Sequence, residues 1–155
     1  MNINFELELL SASRTMLTNV MSNLSKDELL KIPDGFNNNI FWHLGHIVVS
    51  QQRLIYSRSG LPINISNEYE ENFKIGSSPK DWNTTPDFTE VKESLLSTVE
   101  KLKEDLKKDI FTNYEPLTVS LGCTINTHLE ALTYTTFHES EHIGNIKYMM
   151  KLNKI

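Results

Sequence analysis

Apolar side chains recur at intervals of three and four residues through most of this chain, a spacing that restricts it to helices with one buried face. The stretches with this period cover residues 3–23, 40–60, 87–108 and 127–151. No pair of segments alternates between apolar and polar residues in the way that would predict a sheet. The pattern therefore predicts an all-α fold, a four-helix bundle.

Capping residues mark several helix boundaries. Ser25 and Glu28 form a capping-box pattern that predicts a short helix over residues 26–31, and Asp87 and Glu90 repeat the pattern at the start of the third long helix. Gly60, just before a proline, predicts the end of the second long helix.

Two segments have no helical period and predict long crossover connections. They cover residues 61–88 and 110–123. We expect the first to pack Phe73 and Trp82 against the bundle. Long connections in a small domain often line a site.

Size and composition predict one folded domain over residues 1–155. Hydrophobic residues make up 39% of the chain and charged residues 23%, a balance typical of globular proteins. The net charge is −5, with basic residues scattered, so we expect no nucleic-acid partner. The longest apolar stretch, residues 40–50, is far shorter than the roughly 20 residues of a membrane-spanning helix, so we expect no membrane partner.

The compartment is predicted to be the cytoplasm. The N-terminus has neither the positive region nor the apolar block of a secretory signal. Cys123 is the single cysteine, which excludes an internal disulfide and fits a reducing compartment. A catalytic role for its thiol stays an alternative.

Histidines are concentrated in two clusters on predicted helices. His138 and His142 are four residues apart, about 40° apart around the helix and roughly 6 Å along it, so both can reach one ion. The same segment matches the zincin pattern His-Glu-x-x-His, in which Glu139 would be the general base.

The zincin reading lacks a third ligand, because no His, Asp, Glu or Cys follows His142. An upstream ligand is needed, and residues 42–46 (WHLGH) contain the other cluster. The sequence thus predicts a three-histidine site inside the bundle. The alternative is that these histidines are packed in the core or lie on the surface.

Three segments resemble the DinB-like superfamily of damage-inducible, metal-dependent proteins. They are residues 36–47 (FNNNIFWHLGHI), 60–62 (GLP) and 137–144 (FHESEHIG). The resemblance extends over essentially the whole chain. It implies a four-helix bundle with long crossovers, a homodimer, and a divalent metal bound by one His of the second helix and a His-x-x-x-His pair of the last.

Carried onto this chain, the resemblance places the metal ligands at His46, His138 and His142. His43 would then be a packed or hydrogen-bonded neighbour, although it lies only about 60° around the helix from His46. We expect His128 to lie outside the site. Asn145 stands where many relatives have Gln, which puts any role of that Gln in doubt.

Three imidazoles with an open fourth position suit zinc, nickel or ferrous iron. Such an ion activates water or a thiol. Relatives that use bacillithiol or mycothiol imply a metal-dependent thiol transferase, with a small-molecule thiol and an electrophile as partners. Two alternatives stay open: a non-catalytic, stress-related metal-binding module, with His43 as a fourth ligand, and a metal-dependent hydrolase with Glu139 as base. At such a site Glu139 or Glu141 could accept a hydrogen bond from the second ring nitrogen of a ligand imidazole; the alternative is that both carboxylates lie on a solvated face.

Overall fold

The computed structural model describes residues 3–154 and is mostly helical. Six α-helices and two short strands follow one another along these residues. They are α1 (Ile3–Asn23), α2 (Lys26–Leu30), α3 (Ile40–Gln51), α4 (Asn67–Phe73), α5 (Phe88–Lys107), β1 (Leu117–Thr118), β2 (Thr124–Ile125) and α6 (His128–Asn153). A π-helical turn (Gln52–Tyr56) and a 3₁₀ turn (Ser57–Ser59) extend α3 to Gly60. The predicted all-α fold is confirmed.

The capping residues act as the sequence predicts. The side chain of Ser25 accepts a hydrogen bond from the backbone N–H of Glu28, and the Glu28 carboxylate accepts one from the Ser25 backbone. The Ser25 hydroxyl also donates to the Glu28 carboxylate, and this bond together with the one from the Ser25 backbone lowers the pKa of Glu28. Asn39 caps α3 by accepting from Trp42, and Gly60 ends the extended helix with a φ of 73°.

Four long helices form the bundle. The adjoining pairs are α1 with α5, α5 with α3, α3 with α6, and α6 with α1. Helix α3 is the most deeply buried, since every residue from 40 to 49 is buried. The histidines of α3 therefore lie inside the bundle, where α6 packs against them.

The two connections contain more structure than their sequences predict. Residues 61–88 contain α4, which begins at the Ser66 cap and buries Tyr69 and Phe73. Its turns are too few for a period to stand out. The segment between α5 and α6, which includes the second connection, contains the antiparallel pair β1–β2, and this corrects the expectation of no sheet. Two-residue strands are too short to show alternation, and Gly122, with a φ of 84°, closes their turn.

None of the helices in residues 3–154 combines the length and hydropathy needed to cross a membrane. Residues 1, 2 and 155 lie outside the described residues. The single domain over residues 1–155 stays a prediction.

Candidate metal centre

Helices α3 and α6 bring three histidines to one place. The ligand atoms that His46, His138 and His142 offer lie within 4.8 Å of one another. Within α6, the Nε2 atoms of His138 and His142 are 3.1 Å apart. The ring of His46 lies 4.8 Å from that of His142 and 5.4 Å from that of His138, measured between centroids. The three positions expected from the sequence thus form one cluster.

The ring of His46 is fixed from three sides. Its Nδ1 donates a hydrogen bond of 2.7 Å to the carbonyl of Phe73, which leaves the lone pair on Nε2. Trp42 stacks on the ring, with centroids 4.4 Å apart and planes inclined by 12°. The hydroxyl of Ser50 lies 3.1 Å from Nε2. With Nδ1 protonated, Nε2 accepts a hydrogen bond from the Ser50 hydroxyl, so His46 can offer Nε2 to a metal ion in place of this bond without changing its tautomer.

A glycine makes the contact between Phe73 and His46 achievable. A Cβ at Gly45 would lie 2.3 Å from the nearest atom of the Phe73 ring, so only glycine lets this fully buried ring pack against α3. The close approach places the carbonyl of Phe73 next to His46. Gly45 thus influences the position of the His46 ring through helix α4.

His43 contacts the site from behind His142. The two Nδ1 atoms are 2.7 Å apart, while Nε2 of His142 faces His138. His43 therefore engages the ring nitrogen on the far side from the cluster, as a hydrogen-bonded neighbour. This contact does not direct its Nδ1 into a fourth ligand position.

Burial keeps these imidazoles neutral. Desolvation lowers the pKa of His43 and of His46 to about 4, with the neighbouring histidines adding to the effect. It lowers the pKa of His142 to about 2, where three histidines act on one ring, and lowers that of His138 as well. Neutral imidazole is the form that binds a metal.

The donor set fits a divalent metal ion. Nitrogens bound to one zinc ion at about 2.0–2.1 Å are roughly 3.4 Å apart in tetrahedral geometry. The separation of His138 and His142 is already close to this value, and the ligand atom of His46 lies within 4.8 Å of theirs. At 3.1 Å one of these two Nε2 atoms can donate a hydrogen bond to the other, and a bound cation would replace that proton.

The carboxylate of Glu139 is not placed where a general base of the histidine cluster would be. Its Oε2 accepts a hydrogen bond of 2.8 Å from Nε of Arg14, and its Oε1 accepts one of 2.5 Å from Ser13. Both residues belong to α1, and both partners of the ion pair are almost fully buried. The neighbour of His138 in sequence thus points its carboxylate into a different network, because an unpaired buried carboxylate would be costly.

The remaining candidates lie apart from the cluster. His128, about 15 Å before His138 along α6, stacks on Phe111. Cys123 is exposed beside β2, and Asn145 and Glu141 are exposed on α6. The hydrogen-bond acceptor for the His46 ring is the Phe73 carbonyl, where the sequence suggested Glu139 or Glu141.

A cavity of about 540 Å³ borders the histidines. His46 and His138 form part of its wall, together with residues from the π-helical turn, the β1–β2 connection and α6. A second concavity of about 600 Å³ lies between α1 and α5, and no histidine among the described residues lines it. The first cavity therefore gives a small molecule access to the cluster.

A comparison with protein families identifies the fold. The family model of the DinB superfamily matches residues 9–146. The chain belongs to the DinB superfamily. No curated protein matches this DinB-superfamily chain in sequence. Membership of the superfamily and the three-histidine cluster together fit a metal-binding protein.

Several residues that contact the site could not be identified from the sequence. The contacts of Phe73, Ser50 and Arg14 depend on which helices pack together, and no local spacing encodes that. Trp42 and Gly45 did stand inside the quoted motif, and an unusual glycine between two histidines was a usable signal for close packing.

Proposed function

We propose that this protein binds one divalent metal ion through His46, His138 and His142 and uses it to transfer a small-molecule thiol to an electrophile. The observation that carries the proposal is that the histidine cluster opens onto a cavity large enough for a ligand. The bound ion would stabilise the thiolate form of the incoming thiol. A homodimer and a cytoplasmic location stay predictions.

The chain's own residues contribute positioning and exclusion of water. Phe73 and Trp42 hold His46, His43 holds His142, and the buried faces of α3 and α6 keep all of these imidazoles neutral. The overall reaction is RSH + R′X → RSR′ + HX. The sulfur–carbon bond forms as the bond to X breaks, and the thiol proton leaves to solvent.

Two observations favour this reading over its alternatives. Both carboxylate oxygens of Glu139 are engaged by Ser13 and Arg14, so a hydrolase that used this base would first have to break a buried ion pair. A closed structural site would need a fourth protein ligand, and the Nδ1 of His43 is turned to the far nitrogen of His142.

Elemental analysis tests the metal centre first. We expect about one equivalent of metal in the wild-type protein after incubation with zinc, nickel or ferrous iron, and almost none in His46→Ala or His138→Ala. His128→Ala is the matched control and should retain the metal. A wild-type protein that takes up none of these ions would refute the proposal.

A conjugation assay tests the reaction. The loaded protein is mixed with cellular thiols and 1-chloro-2,4-dinitrobenzene, and the thioether is followed by its absorbance. We expect Glu139→Gln to retain conjugation, corrected for any unfolded fraction, and His138→Ala to lose it. Absence of thioether with every thiol tested would leave a metal-binding module, and loss in Glu139→Gln with metal retained would favour the base.

A further inference from the structure

The cavity beside the histidines is lined along one side by a continuous helical stripe. From His46 onward, its lining residues follow at 3, 4, 7, 8, 11 and 12 positions, which is one face of a helix. The π-helical turn Gln52–Tyr56 lies within this stripe, and such turns are frequent at functional sites. The stripe ends at Arg58, so the cavity has a histidine end and an arginine end.

Arginines are placed selectively in this molecule. The chain has three, and Arg14 is fully buried in its ion pair with Glu139. The other two, Arg53 and Arg58, both line the cavity of the histidines, and no lysine of residues 3–154 does. Glu115 also lines this cavity, so the two arginines leave an excess of positive charge there in a chain whose net charge is −5.

The distances suit a small ligand that spans the cavity. Arg53 lies seven residues beyond His46, about 10 Å along the helix axis, and Arg58 lies twelve residues beyond it, at most about 18 Å. A cavity of about 540 Å³ falls within the range of small-molecule sites. A molecule of tripeptide size can therefore contact both ends.

The present partners of the two arginines are carboxylates. Arg58 pairs with Glu115 at 3.2 Å, and the side chain of Glu115 is 77% exposed. Arg53 pairs with Glu70 at 3.6 Å. The backbone N–H of Glu115 separately donates to the carbonyl of Arg58 at 2.7 Å, so the chain stays docked when the carboxylate leaves. Each pair has one well-exposed and one partly exposed side chain, and ion pairs open to solvent in this way are weak enough for a ligand to displace.

We infer that Arg53 and Arg58 bind the carboxylate of an acidic small molecule whose other end reaches the histidines. The guanidinium fork matches a carboxylate in shape and charge. The inference rests on the proposed function at the histidine end, where it identifies the thiol as a carboxylate-bearing one. At the arginine end the inference concerns ligand binding alone, so it can be tested without any catalytic turnover.

The test uses S-methylglutathione, which has two carboxylates and no thiol. Its binding to the full-length protein, zinc-loaded and metal-free, is measured by calorimetry at low salt. We expect Arg53→Gln and Arg58→Gln each to weaken binding about tenfold, and Glu115→Gln to tighten it about threefold by removing the competing carboxylate. Because the probe has no thiol, failure of thiol transfer leaves this result interpretable.

Three controls make the outcome decisive. Lys103→Gln removes a partly exposed cation paired with Glu100 on α5, away from the cavity of the histidines, and should change nothing. The diethyl ester of the probe should bind weakly and equally to all variants. Glycerol 3-phosphate tests for a phosphate site, and its arginine-dependent binding without that of S-methylglutathione would overturn the inference. No measurable binding of S-methylglutathione, or equal binding to wild type and both arginine variants, would overturn it as well.

Discussion

Two neighbouring residues of α6 belong to two opposite kinds of buried polar cluster. His138 joins the histidine cluster, whose three imidazoles offer ligand atoms within 4.8 Å of one another. Glu139 joins the Arg14 cluster, in which each charged group has its partner: the guanidinium contacts Glu139 and the carbonyl of Ile47, and Ser13 contacts the carboxylate. The first cluster has the donor set of a metal site, whereas the charges of the second cluster are paired within the chain.

This difference distinguishes the candidate metal site from the network that holds its two helices together. Ile47 and Glu139 are the residues that follow His46 and His138 in sequence, so Arg14 connects the two ligand-bearing helices directly behind the ligands. A completed network of this kind fixes helix positions. We therefore expect changes in the histidine cluster to affect metal binding, and changes in the Arg14 cluster to affect stability.

The largest expected effect is in the histidine cluster. His142→Ala removes the ring that contacts both His43 and His138 and should weaken zinc binding by at least about a thousandfold. Zinc in excess should raise the unfolding free energy of the wild-type protein and leave that of the variant unchanged. Both are measured by urea unfolding with and without zinc, and equal zinc stabilisation of the two proteins would break the comparison.

The Arg14 cluster should respond in the opposite way. Arg14→Met leaves the carboxylate of Glu139 buried without its ion-pair partner, which costs about 3–5 kcal/mol of stability. The folded fraction should still bind about one zinc ion. Arg14→Met/Glu139→Leu removes both charges and should recover most of the loss, as urea unfolding will show. Zinc loss at unchanged stability would place Arg14 in the site itself.

Much of the fold follows from local sequence, as the helix ends illustrate. Ser25, Asp87 and Gly60 each act on groups within four residues, so their roles are visible in the spacing alone. Helix α4 and the β1–β2 pair were missed because each is too short for a period to emerge. Their stability comes from packing against the bundle.

In the candidate site, too, local contacts could be predicted from the sequence and long-range contacts could not. His138 and His142 share one helix turn, so their pairing was predictable from spacing. Joining His46 to them required the family resemblance, since two helices 90 residues apart can meet on any face. The partners of Glu139 were unpredictable, because Ser13 and Arg14 lie more than 120 residues away in sequence.

The next prediction compares alanine substitutions at two glycines, Gly45 and Gly144. Gly45→Ala forces the buried Phe73 ring to shift and should cost about 1–3 kcal/mol. Because the Phe73 carbonyl holds His46, zinc affinity should also fall severalfold. Gly144→Ala is the matched control: no atom lies within 4 Å of its added Cβ, so it should stabilise α6 by up to about 1 kcal/mol. Thermal unfolding that moves in the same direction for both would contradict this account of Gly45.

The smallest expected effect concerns His43, whose role decides whether the histidine cluster is open or is closed by a fourth ligand. If His142 gives Nε2 to a metal, its proton is on Nδ1, and the Nδ1 of His43 at 2.7 Å must accept it. His43→Phe keeps the packing but removes the acceptor, so zinc affinity should fall about tenfold, as measured by competition with a chelator. His43→Gln offers a carbonyl oxygen at similar reach and should restore most of that affinity. Rescue by Gln would show that His43 acts by orienting His142, whereas an equal loss in both variants would show that His43 is itself a ligand, and the histidine cluster would then be closed like the cluster of Arg14.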